Sequence, residues 1–248
     1  MTSGTNQETV PAPAFILVRP QLAENVGTAA RAMMNCCIDE MRLVDPDEDH
    51  LCDRAVAASS GAGDILRRAK VFKTVKEAVA DLQKVYATTG RPRDMIKPVL
   101  TGQGMAKEIQ AGRQKGIKYG VLFGPERTGL ENEDLAYADA IVNIPLNPKH
   151  CSLNLAQAVL LAGYEIFRQS DATADKFLSM PNTEPANKAE TEHLFDHLEQ
   201  ELEAAGYFKS PEKRPRMMRN LRNIFMRADL TSQDVRTLHG VIADLARR

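Results

Sequence analysis

The feature that most constrains the fold of this chain is a series of short apolar runs separated by helical patterns. Continuous apolar runs of this length are typical of strands buried on both faces, as in a parallel sheet covered by crossover helices. The runs are AFILV (14–18), MRLVD (41–45), KVYATT (84–89), YGVLF (119–123) and AIVNI (140–144). They predict an α/β domain with a parallel sheet, ending near Arg168.

The pattern changes beyond that domain. A polar, proline-containing stretch predicts a linker, and the remainder of the chain has helical periodicity throughout. We therefore predict a disordered lead at 1–13, the α/β domain at 14–170, a linker at 171–183 and a small all-α extension at 184–248. Within the extension, Thr231 and Asp234 have the spacing of a capping box.

Composition argues against several classes of protein. No apolar run approaches the ~20 residues of a membrane span, and we expect no membrane partner. The start of the chain lacks the basic and apolar segments of a secretory signal. Four cysteines without CxxC spacing predict reduced thiols and a cytoplasmic location. His193 and His197 are four apart without further ligands, which favours a solvated helix face and no metal site.

Four segments that follow predicted strands have unusual compositions. Ligands bind at the carboxyl ends of parallel strands, so these segments are candidates for one common site. They are RPQLAENVGTAAR, TTGRPRD, FGPERTGLENED and IPLNPKHCSLNLAQAV. The chain contains none of the common fingerprints of dinucleotide loops, P-loops or serine hydrolases.

The residues by themselves leave alternatives open within these segments. Ser152 and Asn154 precede an apolar helix, where they either cap the helix or hold a ligand. Asn25 is also placed to cap a helix, and Arg31 is either a site residue or a surface arginine. Glu126 is a general base, an anchor for an arginine or a solvated turn residue.

Three of these segments occur in an order and spacing that resemble a known family. ENVGTAARAM, LFGPERTGL and IPLNPKHCSLNLAQAV are similar to the three motifs of the SpoU-type 2'-O-methyltransferases of the SPOUT superfamily. The resemblance spans about residues 15–168, and the helical tail resembles an extension found in tRNA methyltransferases of this family. It implies a parallel-sheet SPOUT domain with a C-terminal deep trefoil knot that binds S-adenosylmethionine, and a homodimer.

The resemblance also implies roles for individual residues. The expected catalytic residues are Asn25, Arg31, Glu126, Ser152 and Asn154. The expected cofactor-binding residues are Thr88, Thr89, Gly90, Gly124, Ile144, Leu146, Cys151, Ser152 and Leu153. Arg91 and Arg93 are expected to contact the substrate RNA, and no metal is needed. Because a guanidinium has a pKa above ~12, Arg31 is expected to hold a phosphate and the developing alkoxide rather than to act as a base.

The charge of the tail predicts either RNA binding or an internal ion-paired bundle. Residues 207–227 contain seven basic residues and one acidic residue, whereas acidic residues predominate in 184–203. Arg216, Arg219 and Arg222 are three apart and share one helix face, which suits contacts with RNA phosphates. The same face could instead pair with the acidic helix that precedes it.

The function that the resemblance implies is S-adenosylmethionine-dependent 2'-O-ribose methylation of tRNA, at cytidine or uridine in position 32 of the anticodon loop. Two alternatives remain at this stage. One is a ribosomal-RNA 2'-O-methyltransferase, since the motifs do not distinguish the two RNAs. The other is a non-catalytic knotted scaffold that binds S-adenosylmethionine or RNA.

Overall fold

The computed structural model describes residues 12–90 and 95–247. Residues 1–11 of the predicted lead lie outside the described residues, as do Arg91 and Arg93. The chain divides into two compact units, Met1–Thr173 and Ala174–Arg248, and each is described by itself.

The described part of the first unit contains a seven-stranded sheet in which all strand pairs are parallel. Its strands are β1 (Ala14–Val18), β2 (Met41–Val44), β3 (Lys70–Phe72), β4 (Lys84–Thr88), β5 (Val99–Thr101), β6 (Tyr119–Phe123) and β7 (Ala140–Asn143), and their spatial order is β3-β2-β1-β6-β4-β7-β5. The predicted parallel α/β sheet is confirmed. The two edge strands, β3 and β5, were not predicted, because each has three residues that are exposed or half-buried and no continuous apolar run.

Helices cover both faces of this sheet. They are α1 (Ala23–Asn35), α2 (Asp53–Ser59), α3 (Gly63–Arg68), α4 (Val75–Ala78), α5 (Gly102–Arg113), α6 (Asn132–Leu135) and α7 (Leu155–Arg168). Successive residues of β1 point to opposite faces, so Phe15 and Leu17 join the core beneath α1, α5 and α7, whereas Ile16 joins the core beneath α4 and α6. Burial on both faces explains why the strands are continuously apolar.

Gly27 allows α1 to pack closely on α2. A Cβ atom at this position would lie 2.1 Å from the backbone oxygen of Ala55 in α2. Glycine is therefore needed at this position, because any side chain would collide with the backbone of α2.

The second unit is helical in its described part. It contains α8 (Lys188–Ala204), a 3-10 turn at Pro211–Lys213, α9 (Arg214–Met226) and α10 (Ser232–Ala246). Its buried side chains include Leu194, Phe195, Met218 and Val235. The capping box of Thr231 and Asp234 is confirmed at the start of α10. Among the described residues, no helix of either unit is long and apolar enough to cross a membrane.

Three histidines meet between α8 and α10: His193 is exposed, as predicted for a solvated helix face, whereas His197 is half-buried. The ring of His239 lies 4.9 Å from that of His193 and 5.0 Å from that of His197, measured between centroids. The Nδ1 atoms of His197 and His239 are 2.8 Å apart, so they share one hydrogen bond in which one ring is the donor. The sequence could not reveal this cluster because His239 lies 42 residues beyond His197.

The histidine cluster predicts that acid weakens the second unit. Burial, followed by the neighbouring His197 and His193, lowers the pKa of His239 below its usual value. Because the folded state disfavours the proton, this contribution to stability is present above pH ~6.5 and is lost as the pH falls through the lowered pKa. The other facing charge is Glu201, whose carboxylate lies 3.9 Å from Nε2 of His197. The melting temperature of this unit is expected to fall between pH 7.5 and pH 5, and the fall is expected to be smaller in His239→Gln. An equal fall in both proteins would contradict this expectation.

Candidate functional site

Loops at the carboxyl ends of three adjacent strands enclose a cavity of about 270 Å³. The strands are β4, β6 and β7, which lie side by side in the order β6-β4-β7. The cavity is lined by Thr88, Thr89, Gly90, Phe123, Gly124, Pro125, Glu126, Arg127, Thr128, Gly129, Val142, Ile144, Leu146, Cys151, Ser152, Leu153, Leu155 and Ala158. All nine residues that were expected to bind the cofactor are among them.

The loop after β6 is folded tightly against itself. A Cβ atom on Gly124 would lie 2.2 Å from the backbone nitrogen of Leu130 and 2.4 Å from the carbonyl carbon of Gly129. Gly129 has a φ of 70°, in the left-handed region, and its N–H donates to the carbonyl oxygen of Pro125 at 2.9 Å. Glycine is therefore required at both ends of the turn that forms one wall of the cavity.

Glu126, Asn25 and Asn154 form a chain of hydrogen bonds beside the cavity. The side-chain amide of Asn25 donates to Oε1 of Glu126 at 2.6 Å, and the amide of Asn154 donates to Oδ1 of Asn25 at 3.0 Å. The second oxygen of Glu126, Oε2, accepts from the backbone N–H of Gln21 at 3.2 Å. Since both of its oxygens accept hydrogen bonds, the carboxylate of Glu126 is suited to anchoring the loops rather than to removing a proton.

The structure shows that Asn154 caps a helix, whereas its expected role in holding a ligand stays a prediction. Its Oδ1 accepts from the N–H of Ala156 at 2.8 Å and its N–H donates to Gln157, which makes a capping box at the start of α7. Its amide nitrogen also donates to Asn25, so the same side chain caps α7 and is hydrogen-bonded to α1. Asn25 itself is not a cap, which corrects the expectation: α1 begins after Leu22, and Asn25 lies within the first turn.

A second contact, which was not predicted, joins the segment after β1 to the segment after β6. Arg19 donates to both carboxylate oxygens of Asp134, at 3.2 and 2.5 Å, and the hydrogen bond raises the pKa of Arg19 above its usual value. Asp134 is 4% exposed and also accepts from the N–H of Glu131 at 2.9 Å. Arg19 has a φ of 45°, which is uncommon for a residue with a side chain. The ion pair therefore fixes the end of β1 against the start of α6, next to the Glu126 loop.

Arg31 does not line the cavity of its own chain. It is exposed on α1, where Nη1 lies 3.4 Å from the hydroxyl of Ser60. Six residues of helix separate it from Asn25, a rise of ~9 Å and a rotation to another helix face. Arg31 is therefore not among the residues that line this cavity, and its expected catalytic role stays a prediction.

The remaining predicted RNA-binding residues lie on α9 in the second unit. Arg216 and Arg219 are exposed, and among the described residues neither pairs with a carboxylate. Arg222 is half-buried, pairs with Glu192 of α8 and lies over the ring of Phe195, 4.7 Å from its centroid.

Comparison with known proteins assigns the chain to a family. A model of the SpoU rRNA Methylase family matches residues 13–164. The chain belongs to this family. A second model, of the TrmJ C-terminal domain of tRNA methyltransferases, matches residues 189–248 of this SpoU-family chain.

Relatives of this SpoU methylase cover nearly its whole length. The tRNA (cytidine/uridine/adenosine-2'-O-)-methyltransferase TrmJ of Pseudomonas aeruginosa is 34% identical over 92% of this chain and 91% of its own. The tRNA (cytidine/uridine-2'-O-)-methyltransferase TrmJ of Sodalis glossinidius is 33% identical over 93% and 90%. The crystal structure of TrmJ from Z. mobilis is 44% identical, with a TM-score of 0.78, over 95% of this chain and 99% of that one.

The Arg19–Asp134 pair predicts a specific loss of stability. Arg19→Leu leaves the buried carboxylate of Asp134 without its cationic partner, so the free energy of unfolding of the first unit is expected to fall by about 1–3 kcal/mol. Arg67→Leu is the matched control, because it removes an ion pair with Asp64 that is exposed and therefore screened by solvent. Urea unfolding measures both variants, and equal losses would contradict the assignment of Arg19–Asp134 as the stronger contact.

Proposed function

We propose that this chain is an S-adenosylmethionine-dependent methyltransferase that methylates the ribose 2'-oxygen of cytidine or uridine in tRNA, at position 32 of the anticodon loop. The proposal rests on one observation: the motif segments LFGPERTGL and IPLNPKHCSLNLAQAV line one common cavity. Asn25 of the segment ENVGTAARAM is hydrogen-bonded to both of them. The family match and the names of the relatives support the reaction and the substrate. A tRNA substrate also supports a cytoplasmic location.

The cavity fits the cofactor in its chemistry. Its apolar side chains, which include Phe123, Val142, Ile144, Leu146 and Leu153, offer a slot for a flat heterocycle. Backbone groups around Gly90 and Gly124, with the Ser152 hydroxyl, offer hydrogen bonds to its polar parts. When bound there, S-adenosylmethionine supplies an electrophilic methyl group. Such a transfer needs positioning and electrostatics, and we propose no metal.

The chain's own residues would position the acceptor ribose. Ser152 is exposed at the cavity, and Asn154 is held by Asn25, which is held by Glu126. This order fixes the direction of each amide, since the carboxylate of Glu126 can only accept hydrogen bonds. We propose that Ser152 and Asn154 bind the ribose or the donor at its edge, whereas Glu126 acts through Asn25.

We propose that Arg31 serves the cavity of a second copy in a homodimer. Its exposure on α1 and its absence from its own cavity support this arrangement. α1 packs on α7, and the two helices carry exposed apolar side chains at Met34, Leu160 and Tyr164, which offer a surface for the partner. Arg31 would then hold a substrate phosphate and the developing alkoxide with its two-pronged guanidinium.

We also propose that the loops around the cavity form the deep trefoil knot expected for a SPOUT domain. The strand order supports it. Along the chain β4 comes before β6 and β7, yet in the sheet β4 lies between them, so the chain crosses β4 to pass from β6 to β7. The helix that follows, α7, packs against α1 and α5. The domain boundaries at 14–170, 171–183 and 184–248 remain part of the proposal.

The second unit supports tRNA over ribosomal RNA as substrate. The TrmJ C-terminal domain match covers this unit, although the family that matches the first unit is described as rRNA methylases. Within α9, the charges divide between the two expected roles: Arg214 and Arg222 pair with acids of α8, whereas Arg216 and Arg219 face solvent. We propose Arg216 and Arg219 as the RNA contacts. A non-catalytic scaffold is disfavoured because the hydrogen-bonded set of Glu126, Asn25 and Asn154 is complete.

Arg31→Lys tests the proposed reaction. Lysine keeps the charge but loses the planar fork, so the methylation rate at saturating tRNA is expected to fall roughly 100-fold, as for the loss of one preorganised donor. S-adenosylmethionine affinity, measured by calorimetry on the full chain, is expected to stay constant, because the cofactor would be held by the loops that line the cavity whereas Arg31 would hold the substrate phosphate. Arg68→Lys, on the exposed face of α3, is the control. Near-normal turnover by Arg31→Lys would refute the proposed role, and absence of cofactor binding by the unaltered chain would refute the proposed function.

The division of charge on α9 gives a second test. Arg216→Ala and Arg219→Ala are expected to weaken tRNA binding and to lower the slope of log affinity against log salt by about 0.7–0.9 each, with little loss of stability. Arg222→Ala is expected mainly to lower the melting temperature, because it removes contacts with Glu192 and Phe195. Filter binding at several salt concentrations and thermal unfolding measure the two effects. The reverse pattern would show that Arg222 is the RNA contact.

A further inference from the structure

Two basic side chains on the loops around the cavity have no role in the site described above. Arg127 lines the cavity, is exposed, and follows Glu126 in the loop after β6. Lys149 is exposed in the loop after β7, between Leu146 and Cys151, both of which line the cavity. The two cations therefore stand on two separate loops that both contribute residues to the wall of the cavity.

Neither cation is neutralised within the described part of the chain. No carboxylate there pairs with Arg127 or Lys149, whereas arginines 19, 42, 54 and 67 of the same unit each have a carboxylate partner. Glu126, the acidic neighbour of Arg127, is engaged by Asn25 and the N–H of Gln21. The guanidinium of Arg127 is thus available to an anion that arrives from solvent.

The loop that carries Lys149 is closed by its own hydrogen bonds. The side chain of Asn147 accepts from the N–H of Lys149 at 3.0 Å, and its carbonyl oxygen accepts from the N–H of His150 at 2.9 Å. This turn holds residues 147–150 in solvent while its two ends remain at the cavity. A lysine on a fixed turn loses less freedom on binding than one on an open loop.

We propose that Arg127 and Lys149 bind RNA phosphates on the two sides of the acceptor ribose. This inference rests on the proposed function and adds a substrate-binding rim to it. A nucleotide whose ribose enters the cavity keeps a phosphate on its 5' and 3' sides, both outside the opening. The planar guanidinium suits two hydrogen bonds to one phosphate, and the ammonium suits a point contact to the other. A rim that binds backbone phosphates positions RNA without selecting its bases.

Charge-removing variants of the full chain test the rim. Arg127→Gln and Lys149→Gln are each expected to weaken tRNA binding, by up to about tenfold. Each is expected to lower the slope of log affinity against log salt by about 0.7, the value for one single-stranded phosphate contact, and the double variant by about twice that. Lys107→Gln on α5 removes the same charge from an exposed position outside the cavity, and it is expected to leave the slope unchanged.

A second measurement separates the phosphate from the other anion that could reach the rim, the carboxylate of the methyl donor. Calorimetry with S-adenosylmethionine in the absence of RNA is expected to give the same affinity for the unaltered chain and each variant. Weaker cofactor binding by Arg127→Gln with unchanged tRNA binding would overturn the inference, as would variants that match Lys107→Gln in every assay. If the unaltered chain methylates tRNA, such results refute only the proposed phosphate contacts of Arg127 and Lys149. If the unaltered chain does not methylate tRNA, both the proposed function and these contacts are refuted.

Discussion

The carboxylate of Glu126 holds together parts of the first unit that are far apart in the chain. It accepts from Asn25, 101 residues earlier, and Asn25 in turn accepts from Asn154, 129 residues later. Glu126 and Asn154 lie in the loops after β6 and β7, whereas Asn25 lies in the first turn of α1, which follows β1 of the same parallel sheet. Because a carboxylate can only accept hydrogen bonds, it sets the direction of both amides beyond it. The orientation of Asn154 at the cavity therefore depends on a residue that it does not touch.

The rest of the site depends on keeping that carboxylate in place. The Arg19–Asp134 ion pair joins the segment after β1 to the segment after β6 at a second point, and close packing at Gly124 keeps the loop after β6 compact. Parallel strands make this arrangement possible because all their carboxyl ends reach the same edge. The cavity lies where β4 separates β6 from β7, and the chain must cross over to connect them. The fold thus creates the cavity, and a few polar contacts define its wall.

The second unit uses its charges differently. Its basic helix α9 faces an acidic helix α8, and the structure assigns Arg214 and Arg222 to that contact. Those two arginines are therefore engaged within the unit, whereas Arg216 and Arg219 face solvent. The two interpretations of the basic stripe, RNA contact and internal pairing, thus apply to different members of the same helix. Spacing along a helix cannot make this distinction, because residues three apart share a face only approximately.

The sequence by itself determined the parallel α/β class, the five long strands and the three segments that meet at the cavity, because continuous apolar runs and the composition at strand ends are local signals. The capping box at Thr231 was determined in the same way. The tertiary structure alone decided which side chains touch across more than 100 residues. In the folded chain Asn25 donates to a carboxylate rather than capping a helix, and Arg19 pairs with a buried aspartate. His197 contacts His239 of another helix, and Arg31 is not among the residues that line the cavity. Each of these outcomes depends on how helices and strands pack in space, and pairing between distant segments leaves no periodic signal in a single chain.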